Sequence, residues 1–162
     1  MRTSRSRKKW SAAIAGLVVI GTFAAVALGS AGLGFSPTNL VTATIPGKIH
    51  VNHDGVKLQT RGPTDVRVQK IDIAPGGYSG WHHHPGIVIV SVASGAVTFF
   101  SQSDCSSKTY GPGLPDGSAF VESDNDPGQA STVGGATVYA TFVAPHAVPP
   151  VFRIEDDPVT CP

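Results

Sequence analysis

Three consecutive histidines, His82, His83 and His84, sit in the stretch GGYSGWHHHPG and make up half of the six histidines in the chain. A neutral imidazole offers an unshared electron pair near pH 7, so two rings on one face can begin a transition-metal site. In an extended segment alternate side chains share a face: if Trp81 to His84 is a strand, His82 and His84 project together, while His83 turns away with Trp81. Two nitrogens alone hold an ion poorly. Catalytic zinc, iron or manganese generally takes three or more protein donors, often including a carboxylate, and keeps a position for water or substrate.

The remaining candidates are weaker on spacing alone. His50 and His53 flank a hairpin turn, and an H-x-x-H separation puts them on opposite faces of a strand, which reads as surface. His146 lies in the proline-rich APHAVPP. Glu122 and Asp124 lie where a loop can bring an acid toward the histidines, although no spacing rule requires it. Asp124, Asn125 and Asp126, followed by Pro127-Gly128, read as a polar turn.

The elements that must position these residues are strands. Lys48 to Asn52 and Val56 to Thr60 flank Asp54-Gly55, a dipeptide suited to the positive φ angles of a tight hairpin. DVRVQKIDIA, from Asp65 to Ala74, alternates with one change of phase near Gln69-Lys70, where a bulge is expected to restore the register. Further strands are read at Ile87 to Val92, Ala96 to Ser101, Ser118 to Glu122, Ala136 to Ala144 and Val151 to Glu155, separated by Gly- and Pro-rich punctuation. With no helical apolar stripe beyond the N-terminus, this spacing predicts an all-β sandwich or barrel.

The N-terminus is of another kind. MRTSRSRKKW carries five of the twelve cations, and Ser11 to Phe35 is uncharged and largely apolar. A basic leader before such a stretch is an export signal. Its length of about 24 residues exceeds an ordinary secretory core of about 7 to 15 and reaches the roughly 20 needed to span a bilayer, so residues 1–35 read as a signal peptide or a signal anchor. Residues 36–46, rich in Ser and Thr, read as a linker, and residues 47–162 as one domain placed outside the cytoplasm. A membrane contact is expected only through the N-terminal helix, if it is uncleaved. Every acidic residue lies beyond the signal; the exported part is net acidic and lacks the concentrated positive surface that nucleic acid requires. Its two cysteines, Cys105 and Cys161, are expected to form a disulfide in that oxidising compartment.

Gly76, His82, His84 and Gly95 fall in the register of the first motif of the cupin superfamily, G, five residues, H-x-H, three or four residues, E, six residues, G. The segment resembles small single-domain exported cupins, with Val88 at the acid position. The second motif is matched loosely, Gly117 as its first glycine, Phe120 on its strand, Gln129 at the histidine position and Val133 at the asparagine position. The resemblance implies a double-stranded β-helix, the cupin or jelly-roll barrel, over residues 47–162. It implies pairing into a homodimer through sheet edges. It also implies a divalent metal, Mn, Fe, Zn or Ni, held by His82, His84 and Gln129. With valine in place of the acid, that site is expected to be labile, or to be a pocket with no metal.

Three functions follow: a binding module whose barrel mouth, lined by His82, His84, Tyr78, Phe120 and Gln129, takes a small molecule or a labile metal; a metal-dependent oxygenase, isomerase or decarboxylase; or an interaction domain with a vestigial pocket. The first is preferred on the sequence, because the loss of the acid weakens the metal that catalysis needs. The fold alone does not choose among them.

Overall fold

The computed structural model describes residues 30–123 and 126–159. Almost all of the signal segment, together with Asp124 and Cys161, lies outside the described residues. Those described form twelve strands and no helix: β1 (Leu33–Ile45), β2 (His50–His53), β3 (Val56–Gln59), β4 (Thr64–Tyr78), β5 (His82–His83), β6 (Ile87–Gly95), β7 (Val97–Ser101), β8 (Ser107–Tyr110), β9 (Ala119–Glu122), β10 (Gly128–Ser131), β11 (Ala136–Pro145) and β12 (Ile154–Glu155).

The long strands build one antiparallel wall in the order β1-β4-β11-β6-β9. Shorter strands build the facing wall, β8-β7-β10-β5-β12. β4 joins the two where Tyr78 pairs with Ser131. The inner side of β11, Ala136, Val138, Ala140, Phe142 and Ala144, is buried against Val88, Val90 and Val92 of β6. This is the period-two burial that closes a nearly complete barrel around an apolar interior.

Two expectations are corrected here. Residues 36–46 are not a linker: all but Pro46 belong to β1, which runs antiparallel along β4 from Leu33 opposite Tyr78 to Ile45 opposite Thr64. Its Thr, Val and Ile are β-branched and suit a strand, and β1 lies mostly exposed, so little alternation marks it. Nor does β4 bulge at Gln69-Lys70. It stays in continuous register with β11 from Thr64 to Ile73, and the irregularity falls in β1, between Asn39 and Val41. The inward row of β4 thus carries polar residues, Asp65, Arg67 and Gln69, before Ile71 and Ile73.

Asp65, 1% exposed, closes one end of that row. Its carboxylate accepts from Thr44 Oγ1 at 2.6 Å, His146 Nδ1 at 2.9 Å and the Ala147 amide at 3.2 Å. The Thr44 hydroxyl, and then His146, hold its pKa below the usual carboxylate range. His146 is thereby assigned to fastening β1, β4 and the segment after β11 together. The β2–β3 hairpin turns at Asp54-Gly55, both with positive φ (47° and 84°), as the sequence predicts, and His50 and His53 on it are exposed.

Candidate metal centre

The chain enters the site through a glycine-paced turn. Gly76 and Gly80 both take positive φ, which a side chain disfavours, and the backbone then reaches His82 on β5. Alternation does the rest. His82 and His84 are 5% and 8% exposed and line the barrel interior. His83 turns away and meets Asp156 Oδ2 through Nδ1 at 2.8 Å, and Trp81 is buried on that other side.

Each cavity-facing ring is pinned by its Nδ1. That of His82 lies 2.9 Å from the Gly80 carbonyl oxygen, and that of His84 bonds the Phe152 carbonyl oxygen. A carbonyl can only accept, so both Nδ1 atoms carry hydrogen, and both Nε2 atoms face the interior. There they meet Glu122: its Oε2 lies 3.2 Å from His84 Nε2 and 3.9 Å from His82 Nε2. One donor atom from each of the three residues falls within 4.8 Å of the others.

Glu122 supplies the acid missing at position 88, and it does so from a strand rather than a loop. On β9 it is the direct cross-strand partner of Val88 on β6. Opposed residues of an antiparallel pair share a face, so the carboxylate has moved one strand across at the same level of the barrel. The sequence shows both residues but not the β6–β9 register that makes them neighbours. Gln129, by contrast, is not brought to the histidines. Ala130 of β10 lines the cavity, so the side chain before it points to the opposite face. Tyr78 likewise precedes a cavity-lining residue, Ser79, and is 36% exposed outside the pocket. Phe120 does line it, stacked on Tyr110 with ring centroids 4.6 Å apart. Val133, the second-motif asparagine position, is 93% exposed.

The cavity occupies about 680 Å³. Most of its wall is aliphatic or aromatic; its charged members are Glu122, Glu155, Arg67 and Arg153. Burial pushes the His82 imidazole down to about 4, with the positive charge of Arg153 adding to the effect and Glu122 opposing it. His82 is therefore neutral at pH 7, as a metal ligand must be. In metal-free protein the same shift costs stability in acid: the unfolded chain takes up a proton near pH 6.5 that the folded chain refuses until about pH 4. Stability is expected to fall by about 3 kcal/mol as pH drops through that window. Urea unfolding at pH 7 and pH 4 in chelator, with His82→Gln as control, measures it. An equal acid loss in the variant contradicts the assignment.

No family model matches this sequence, and no curated protein matches it. Solved structures do. The polyketide cyclase RemF from Streptomyces resistomycificus is 17% identical and superposes with a TM-score of 0.50, over 78% of this chain and 75% of that one. The chain shares the all-β barrel fold of that protein. Also similar are a cupin-superfamily sugar phosphate isomerase from Silicibacter pomeroyi, 20% identical at a TM-score of 0.41 over 50% of this chain and 51% of that one, and an oxalate oxidase, 24% identical at 0.40 over 47% and 40%. This chain thus spans less than two thirds of those last two. The two histidines of the motif read from the sequence are in place in a nearly closed barrel, and a carboxylate reaches them from the strand next to β6.

Proposed function

We propose that this cupin is an exported metal-dependent enzyme that binds one divalent transition metal through His82 Nε2, His84 Nε2 and a Glu122 carboxylate oxygen, and acts on a small organic molecule held in the barrel. The observation that carries this is the meeting of three metal-ligand atoms, two imidazole nitrogens and a carboxylate oxygen, in a buried corner. Acceptors brought together out of water need a cation between them. Two nitrogens and one carboxylate suit Fe, Mn or Zn and leave coordination positions open. A metal there supplies Lewis acidity to a substrate oxygen or to water. The chain's own part is to fix both rings through Gly80 and Phe152, to keep His82 neutral by burial, and to surround the donors with Phe142, Val88 and Phe120, which exclude bulk water.

This reading differs from the weak-binding module preferred on the sequence, and Glu122 is the reason. Azide added to Co(II)-loaded protein tests it. A shift of the visible Co(II) spectrum is expected, because a three-donor site has room for an exogenous ligand. A stoichiometric spectrum indifferent to azide makes the metal structural and overturns the catalytic reading.

Export carries a second expectation, a disulfide between Cys105 and Cys161. Closing a loop of about 57 residues contributes at most about 4 kcal/mol. Unreduced, denatured protein is expected to resist alkylation at both cysteines, and reduction is expected to lower the unfolding midpoint. Two alkylated thiols before reduction contradict the bridge.

A further inference from the structure

One inward row crosses four strands of the long-stranded wall at a single level: Arg67 on β4, Phe142 on β11, Val88 on β6 and Glu122 on β9, each the direct cross-strand partner of the next. All four line the cavity. The row has a guanidinium at one end and the metal-ligating carboxylate at the other, with an aromatic ring and an aliphatic side chain between them.

The guanidinium is held but not neutralised. Its Cζ stands 4.1 Å over the Phe152 ring, and its Nε donates to Thr42 Oγ1 at 3.2 Å. Among the described residues it pairs with no carboxylate. The other cavity arginine is already used: Arg153 forms a two-pronged pair with Glu155 and donates to the Ser79 carbonyl oxygen at 2.7 Å. Arg153 and Glu155 cancel, so the charge left on the wall is Arg67 against Glu122. A divalent ion on Glu122 turns that balance into an excess of two positive charges, which an anionic guest offsets. Planar, weakly hydrated guanidinium stacked on an aromatic face is the arrangement that receives a carboxylate through two parallel hydrogen bonds.

We propose that Arg67 is the carboxylate-docking residue of this cavity, and that its substrates are carboxylic acids with a compact apolar body, lying over Phe142 and Val88 with the far end at His82, His84 and Glu122. This rests on the metal-enzyme reading for the far end only. Adjacent strands lie about 4.8 Å apart, so Arg67 and Glu122 are separated by roughly 14 Å of backbone along the sheet. Both side chains line the one cavity, with Phe142 and Val88 between them on the wall, so a guest that touches both ends must lay an apolar body over those two side chains. Arg67 is thus a specificity residue distinct from the three metal ligands.

Binding of benzoate, 3-phenylpropanoate and octanoate, each against its primary amide, to Co(II)-loaded and to chelator-treated protein tests this by titration calorimetry. At least one acid is expected to bind saturably at millimolar concentration or below in both forms, with its amide about tenfold or more weaker. Arg67→Met is expected to remove that preference while leaving Co(II) stoichiometry unchanged, and Arg67→Lys to keep part of it; melting curves check that each variant folds. The proposal is overturned if no acid binds, if acid and amide bind alike, or if the preference survives in Arg67→Met. A preference present only with Co(II) overturns it too, since the acid then sits on the metal. If instead Co(II) fails to bind while the preference persists in chelator, the metal reading fails and the Arg67 assignment stands.

Discussion

His82→Ala and His84→Ala each lower the affinity for Zn(II) or Co(II) by about 100-fold or more, whereas His83→Ala leaves it essentially unchanged. That is the expected result of competition titration against a chromophoric chelator. The scale follows from metal chemistry: loss of a residue that merely supports a ligand already costs about 10- to 100-fold, and here a ligand itself is removed. The contrast matters more than the size. All three residues are adjacent in sequence, yet only the first and third face the cavity, while His83 is turned to Asp156. A shared loss across all three variants would point to a collapsed segment instead of a metal centre. Each variant also frees its ring's hydrogen-bond acceptor, Gly80 for His82 or Phe152 for His84, so folding is checked by thermal melts before affinities are compared.

The second large effect concerns where the carboxylate stands. Glu122→Val is expected to reduce affinity by about 100-fold or more, since the anionic donor is what favours a dication over a proton at the paired imidazoles. Val88→Glu with Glu122→Val, which exchanges the two side chains across the β6–β9 pair, is expected to recover most of that loss. The two positions are directly opposed and point into the same cavity. Val88→Glu alone places two carboxylates against each other, so in chelator it destabilises the fold by like-charge repulsion, and with metal it is partly rescued. A double variant that binds no better than Glu122→Val would show that side-chain level in the barrel is not what selects the ligand.

Much of this architecture was legible from residues alone. The strands with strict alternation, β6, β7, β9 and β11, were placed within a few residues, because a half-buried wall imposes a period of two. The Asp54-Gly55 hairpin and the inward pairing of His82 with His84 followed from turn chemistry and from alternation. What failed to show was whatever depends on a partner strand. β1 has the composition of a linker because an exposed strand needs no apolar stripe; what makes it a strand is pairing with β4, a contact distant in sequence. β8 and β10 are short and polar in part, so their windows held no pattern. The metal site divided in the same way. The histidines announced themselves by spacing, while Glu122 was visible only as an acid near a weak motif, and Gln129 was chosen by motif arithmetic that strand direction overrules. Arg67 is hidden in the sequence by the change of phase that the apolar residues of DVRVQKIDIA suggest near Gln69-Lys70. The continuous register with β11 puts Arg67 opposite Phe142 instead.

X-ray absorption fine structure of the protein loaded with one equivalent of Zn(II) interrogates the three-donor assignment most directly. Two imidazole nitrogens at about 2.0 to 2.1 Å with oxygen at about 2.0 to 2.2 Å are expected, and the imidazole scattering should fall to one ring in His84→Ala. A shell of oxygen alone, or an unchanged imidazole signal in that variant, would contradict it.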